Sequence, residues 1–371
     1  MKKYFLFLIL ISHFLFGDWQ EGVKLFKEKK YKEAIPHFKQ VIEAIPDGYS
    51  GYYMLGLCYL QLNELENANE MLKKANQLKP DEGDVAYKYL TVVMKQKKYG
   101  DGCIFVKNYR EEYVPKELKG DYYKLAGLAC FKSEDFQSAV NFLEKAEAMV
   151  DGDEVPYYLG ISALQNQNYD TSIQYLQKAY MRNPKNIDAL FYKIRALIEQ
   201  ARSKSSKSEK LKNYNLAFQD SQKLIKEKEN FENYLLAGEA ALGAQRYDEA
   251  LNFLEKAKGF NKNDGYVYLY IGQAQSNLEK NQEALISLNQ SVNLLPEQKK
   301  RIALNQIAFI YEKIKDFDKA KEYYKKAGNE EKQKQIEEKK LIEEQNKKAD
   351  QELKEYERKK AEQEKKNKEG K

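Results

Sequence analysis

YYMLGLCYLQLNELENANEMLKKANQLKP runs from Tyr52 to Pro80. Apolar residues recur at Tyr52, Leu55, Tyr59 and Leu60, the spacing of one helix face. A short break, Asn63 to Leu65, follows. Ala68, Leu72 and Ala75 then mark a second helix, closed by Pro80, which cannot continue it. The segment therefore predicts helix–turn–helix. Gly56 and Ala68 are small where two backbones must come close; Tyr59 and Leu72 are large and fill the space beside them.

The pattern repeats. Gly22 and Gly56 are 34 places apart, as are Ala34 and Ala68, and Pro46 and Pro80 each follow their alanine by twelve. Gly127 with Ala139, Gly160 with Ser172, Gly238 with Ala250 and Gly272 with Ala284 keep the interval of twelve. A period in the thirties is the mark of a stacked helical array, in which each pair covers the exposed face of its neighbour.

Leu55, Gly56, Tyr59, Ala68, Leu72, Ala75 and Pro80 resemble the tetratricopeptide repeat. Leu159, Gly160, Ala163, Ser172, Leu176, Ala179 and Pro184 follow the same pattern, with Ala163 and Ser172 as departures. So do the later sets Ala237, Gly238, Tyr247, Ala250, Leu254 and Ala257; Ile271, Gly272, Ala284, Leu288 and Pro296; and Tyr311, Phe317, Ala320, Tyr324 and Ala327. The resemblance implies an all-α, right-handed superhelical solenoid of about nine units over residues 18–328, with a charged C-terminal helix after it. The unit after Pro80 is degenerate, with Leu90 for glycine and Gly102 for alanine. The unit from Ile187 carries an inserted stretch, ARSKSSKSEKLKN (201–213), read as a solvated Ser/Lys loop. Both units are expected to be the soft places of the array.

The totals agree with a scaffold. Lys and Arg number 63 against 57 Asp and Glu in 371 residues, too even for a broad nucleic-acid-binding face. Two histidines leave little for metal or general-base chemistry. His13 lies in the N-terminal apolar run, and His37 is expected to be structural. No phosphate-cradling glycine loop, nucleophile elbow or metal-ligand spacing occurs. No enzyme, cofactor, metal or nucleic-acid partner is expected; a carbohydrate-handling enzyme would need a site that these residues do not supply. Cys58, Cys103 and Cys130 include no CxxC. Cys58 and Cys130 fall on apolar helix faces, which favours buried thiols, the other reading being that two pair after export.

Residues 1–17 read as an export signal. Lys2 and Lys3 precede thirteen apolar-rich residues, Tyr4 to Phe16, shorter than the ~20 that span a bilayer. Asp18 and Glu21 suggest a capping box at the start of the first helix. Export points to a bacterial periplasm, with secretion or signal anchoring as alternatives. Residues 329–371 hold 14 basic and 13 acidic residues, with Glu–Lys pairs four apart such as Glu343–Lys347 and Glu355–Lys359 that favour helix. Ile342, Ala349 and Tyr356 are seven apart, but Asn346 interrupts the coiled-coil row, so a solvated helix is expected.

Beside the packing face, each first helix carries a second stripe at i, i+4 and i+7. It reads Trp19, Val23, Phe26; Tyr53, Leu57, Leu60; Tyr87, Thr91, Met94; Lys124, Leu128, Phe131; Tyr157, Ile161, Leu164. Further on it becomes Leu235, Glu239, Leu242; Leu269, Gln273, Ser276; and Asn305, Phe309, Glu312. By resemblance this stripe lines an inner groove that holds peptides or partner helices. The candidate groove residues are Trp19, Tyr53, Leu57, Tyr87, Met94, Leu128, Phe131, Tyr157, Ile161 and Leu164. Leu128 stands where a carboxylate-gripping clamp of the family would need Asn. The expected role is a non-catalytic adaptor of the cell envelope binding a protein or peptide, its link to the membrane only indirect, through an envelope complex. The alternative is a structural subunit of a secretion, outer-membrane assembly or polysaccharide-export complex that uses the convex face or the tail.

Overall fold

The computed structural model describes residues 17–369, and these are helical with no strand among them. The export segment of residues 1–16 lies outside the described residues. Helix α1 is described over 17–27. It is followed by α2 Tyr31–Ala44, α3 Tyr49–Gln61, α4 Leu65–Leu78, α5 Gly83–Lys95, α6 Tyr99–Asn108, α7 Lys119–Lys132, α8 Phe136–Glu147, α9 Glu154–Gln165 and α10 Tyr169–Arg182. Then come α11 Ile187–Ser203, α12 Lys207–Glu227, α13 Phe231–Gly243, α14 Tyr247–Phe260, α15 Gly265–Asn277, α16 Asn281–Leu294, α17 Glu297–Lys313, α18 Phe317–Lys326 and α19 Glu330–Glu369. Taken in order, α1 to α18 form nine pairs, an all-α tetratricopeptide-type array, and α19 is the charged C-terminal helix.

The chain divides into two compact units, up to Ala196 and from Leu197, the division falling inside α11. Within each unit one packing rule repeats. A Cβ built on Gly56 would lie 2.7 Å from Leu72 Cγ; on Gly127, Gly160 and Gly238 it would lie 2.5 Å from Cγ of Leu143, Leu176 and Leu254. For Gly272 and Leu288 the distance is 2.6 Å. Glycine lets the second helix press its leucine onto the first helix's backbone, and each of these leucines is fully buried. The first helix of a pair also touches the first helix of the next: α3 with α5, α5 with α7 and α7 with α9 in the first unit, α13 with α15 and α15 with α17 in the second. That alignment sets the stripes of successive first helices side by side.

Turns inside the pairs share one device. Lys29, Asn63, Lys97, Glu134, Gln167, Gln245, Glu279 and Lys315 all adopt positive φ, between 59° and 64°. Each reverses the chain just past a first helix, the αL stop that glycine usually supplies. Several helix starts are capped: Asp135 accepts from Ser138 N at 3.1 Å, Asn230 from Asn233 N at 2.8 Å and Asp264 from Val267 N at 3.0 Å.

Three expectations are corrected. Asp18 does not cap α1, because residue 17 is already helical; its carboxylate meets His37 Nδ1 at 2.9 Å instead. The inserted stretch 201–213 is mostly helical, since α11 runs to Ser203 and α12 starts at Lys207, which leaves only 204–206 as a connection. A buried amide pair, Asn213 Nδ2 to Gln200 Oε1 at 2.9 Å, ties the lengthened hairpin. Third, Cys103 and Cys130 form a disulfide between α6 and α7, and only Cys58 is a free, buried thiol. Burial pushes the Cys58 thiol up to about 12.

Candidate functional site

In the first unit the predicted stripe splits. Trp19, Tyr53, Leu57, Tyr87, Met94, Leu128, Phe131 and Tyr157 are half-buried, whereas Ile161 and Leu164 are buried at 6% and 9% exposure. The last two pack within the array and offer no surface. Trp19 also leans edge-on against the core ring of Phe38, centroids 5.9 Å apart. Phe131 lies 4.9 Å from Tyr158, with the Lys132 ammonium over both rings.

The same row carries carboxylates that the sequence reading left out. Tyr53 OH donates to Asp84, at the start of the next first helix. Lys124 pairs with Glu154 of α9. Tyr87 is pushed up by burial, then by Asp121 and Asp84 nearby; Tyr157 is pushed up by burial, then by Asp188. Asp84 itself is raised by burial, with Lys88 opposing. On α3, α5, α7 and α9, one side chain thus lies near an acid in the first turn of the next first helix. The signal was available: Asp84, Asp121 and Glu154 each stand three places before the stripe residues Tyr87, Lys124 and Tyr157.

The second unit holds a concave pocket of about 760 Å³. Helix α13 supplies Glu239, Leu242 and Gly243; α15 supplies Tyr266, Leu269, Tyr270, Gln273 and Asn277; α17 supplies Ile302 and Gln306. Glu239, Leu242, Leu269 and Gln273 are stripe positions of the second half, so the pocket sits on the row read as the more polar part. Gln245 and Tyr247, at the turn into α14, complete one side. Arg202 and Tyr214 close the wall, and both come from the lengthened α11–α12 hairpin. The Tyr214 ring lies flat against Gly243, in the space a Cβ would fill. Sequence reasoning placed Arg202 in a solvated loop (201–213) and left out Tyr214, the residue just after it.

Arg202 organises the wall. Its guanidinium donates to Glu199 Oε1 at 2.5 Å and to Glu239 Oε1, which also accepts from Tyr270 OH at 3.1 Å. Burial alone would lower Arg202, but the Glu239 and Glu199 carboxylates outweigh it and leave the group raised. Tyr270 is pushed up by burial and then by Glu239; Tyr214 is pushed up mainly by burial. All three stay in their neutral-pH ionisation states, and the wall is a fixed hydrogen-bonded frame. Among the described residues no group of three or more metal-ligating side chains occurs, and no helix is long and apolar enough to cross a membrane.

A tetratricopeptide repeat family model matches residues 25–99, and a second matches residues 303–327. The chain carries tetratricopeptide repeats. The repeat-containing protein YsoA of Bacillus subtilis is 26% identical over 140 residues, 37% of this chain and 41% of that protein. The mitochondrial import receptor subunit TOM70 of Saccharomyces cerevisiae is 25% identical over 316 residues, 71% of this chain and 51% of that protein. The chain thus spans about half, or less, of the length of these curated relatives. Among solved structures, a MamA fragment from Desulfovibrio magneticus RS-1 is 20% identical with a TM-score of 0.41, covering 50% of this chain and 98% of that one. The tetratricopeptide protein TTC0263 of Thermus thermophilus is 12% identical with a TM-score of 0.38, covering 50% of this chain and 96% of that one.

Proposed function

We propose that this tetratricopeptide array is a non-catalytic adaptor that holds a protein or peptide along the row of its first helices. The observation that carries the reading is the row of half-buried tyrosines, Tyr53, Tyr87 and Tyr157, each set near a carboxylate of the next first helix. Rings that are partly covered and partly wet, with polar ends already placed, suit a partner surface better than a core. Tetratricopeptide proteins in general mediate protein–protein contacts, and TOM70 is named as a receptor subunit.

The setting we infer is the bacterial cell envelope, after export. Two features support it: the Lys2–Lys3 start followed by an apolar run, and the Cys103–Cys130 disulfide, a bond that persists in oxidising compartments. Affinity capture of the mature chain from its own envelope identifies the partner. Tyr53→Ala with Tyr157→Ala should then weaken that partner's binding about tenfold or more while leaving helicity unchanged. Unaltered binding by the double variant would remove the groove reading.

A second reading has its own observation. Every residue of α19 from 344 to 363 is exposed, including Leu353 and Tyr356 at 56% and 65%. A structural subunit that docks through this free helix would lose its partner when the helix is cut, and would tolerate the tyrosine changes.

A further inference from the structure

We propose that the pocket of the second unit binds a neutral oligosaccharide, held by amide and tyrosine side chains and not chemically changed. This goes beyond the adaptor reading, which rests on the first unit, and neither depends on the other.

The lining sorts into groups already engaged and groups still open. Arg202 and Glu239 are its charged residues, and they are bonded to each other. Arg202 also donates to Glu199, and Tyr270 OH donates to Glu239. These bonds hold the wall in place and are spent on it. What remains is neutral. The side-chain amides of Gln245, Gln273 and Gln306 and the hydroxyls of Tyr247 and Tyr266 line the cavity and bond to no other described residue. Gln273 and Gln306 are half-buried on neighbouring first helices, α15 and α17. Tyr247 and Tyr266 are half-buried too.

That set selects among ligands. A strongly charged segment would give up water and find its counter-charges already paired. An apolar helix would cover the open amides and hydroxyls and offer them no partner. An extended peptide brings one donor and one acceptor per residue along its backbone, and its side chains would have to supply the rest. A sugar ring carries several hydroxyls, and each both donates and accepts, as a glutamine amide does. Its C–H face packs on an aromatic ring, and a tyrosine offers that ring with a polar tip beside it. Leu242 and Ile302 add apolar surface to the same cavity. The volume of about 760 Å³ is that of a cleft for a small ligand.

The test uses the full chain and isothermal titration calorimetry. Maltohexaose, xylohexaose and chitohexaose are the neutral probes, hexagalacturonate is the acidic one, and a peptide of glycine, glutamine and serine is the third kind. At least one neutral chain should bind, and more tightly than hexagalacturonate or the peptide. Its affinity should change by less than about twofold between low and high salt, because no ion pair is made. Gln273→Ala and Gln306→Ala should each weaken it about fivefold, the loss of one hydrogen bond. The two changes lie on different helices, and melting temperatures identify either one that fails to fold. No binding by any neutral chain, tighter binding of hexagalacturonate, or an affinity that neither glutamine change alters overturns the proposal. So does tighter binding of the peptide, if Gln273→Ala weakens it, since the pocket would then be part of a peptide track. Tyr53→Ala with Tyr157→Ala should leave sugar binding as it is while releasing the captured partner, so each reading can fail without the other.

Discussion

At the scale of the residue, the glycine–leucine contact is what makes a pair. Gly160 leaves its Cβ position 2.5 Å from Leu176 Cγ, so any side chain there must push the second helix away. Gly160→Ala should cost about 1–3 kcal/mol by overpacking. Leu176→Ala alone should cost about 2–5 kcal/mol through the cavity it opens. Urea melts of the double variant should show less destabilisation than the sum, because the added methyl enters the vacated space; strict additivity would mean that the two side chains do not share one volume. The degenerate unit obeys the same rule with the sizes exchanged. Leu90 stands where glycine is usual and is fully buried, while Gly102 and Val106 take the places of Ala68 and Leu72. Bulk has moved from the second helix to the first, and total volume is roughly kept. A signature that looks at one position at a time calls this unit broken, although its packing is closed.

At the scale of the element, two helices depart from the repeat, and each departure has a cause. Helix α6 is followed by two 3-10 turns, Glu111–Tyr113 and Lys116–Leu118, in place of a tight connection. The Cys103–Cys130 bond crosses that longer connection and ties α6 to α7, with 27 residues of sequence separation. Closing a loop of that size should stabilise the fold by about 3.5 kcal/mol. Cys103→Ser with Cys130→Ser should therefore melt earlier, with amide exchange rising first in α6. A thiol assay should find no reactive group in the native protein, one after unfolding without reductant, and three after reduction. More than one in the unreduced, unfolded chain would mean that the bond is absent. The lengthened α11–α12 hairpin is the other departure. Its extra turns deliver Arg202 and Tyr214 to the pocket wall, so the insertion contributes a surface of the candidate site.

At the scale of the whole molecule, the array needs an end. Helix α19 supplies one: Ile336, 1% exposed, packs with Ala308, Ala320 and Tyr324, and Lys315 bonds Glu343 at 3.0 Å. Past Glu343 the helix covers nothing among the described residues. Truncation after residue 343 should leave the melting temperature unchanged. Truncation after Gly328 should uncover Tyr324 and cost about 1.5–3 kcal/mol, the burial of one large aliphatic side chain. Equal effects of the two cuts would show that the cap lies elsewhere. The sequence by itself determined the helix pair, its period, the number of pairs and the row of first-helix residues, because glycine and alanine spacing acts locally and is written into each repeat. Tertiary structure alone decided that Ile161 and Leu164 are packed away, that two cysteines 27 places apart meet, and that an inserted hairpin completes a pocket on the next pairs. Those outcomes depend on which surfaces come together across repeats, and a local pattern does not carry that distance.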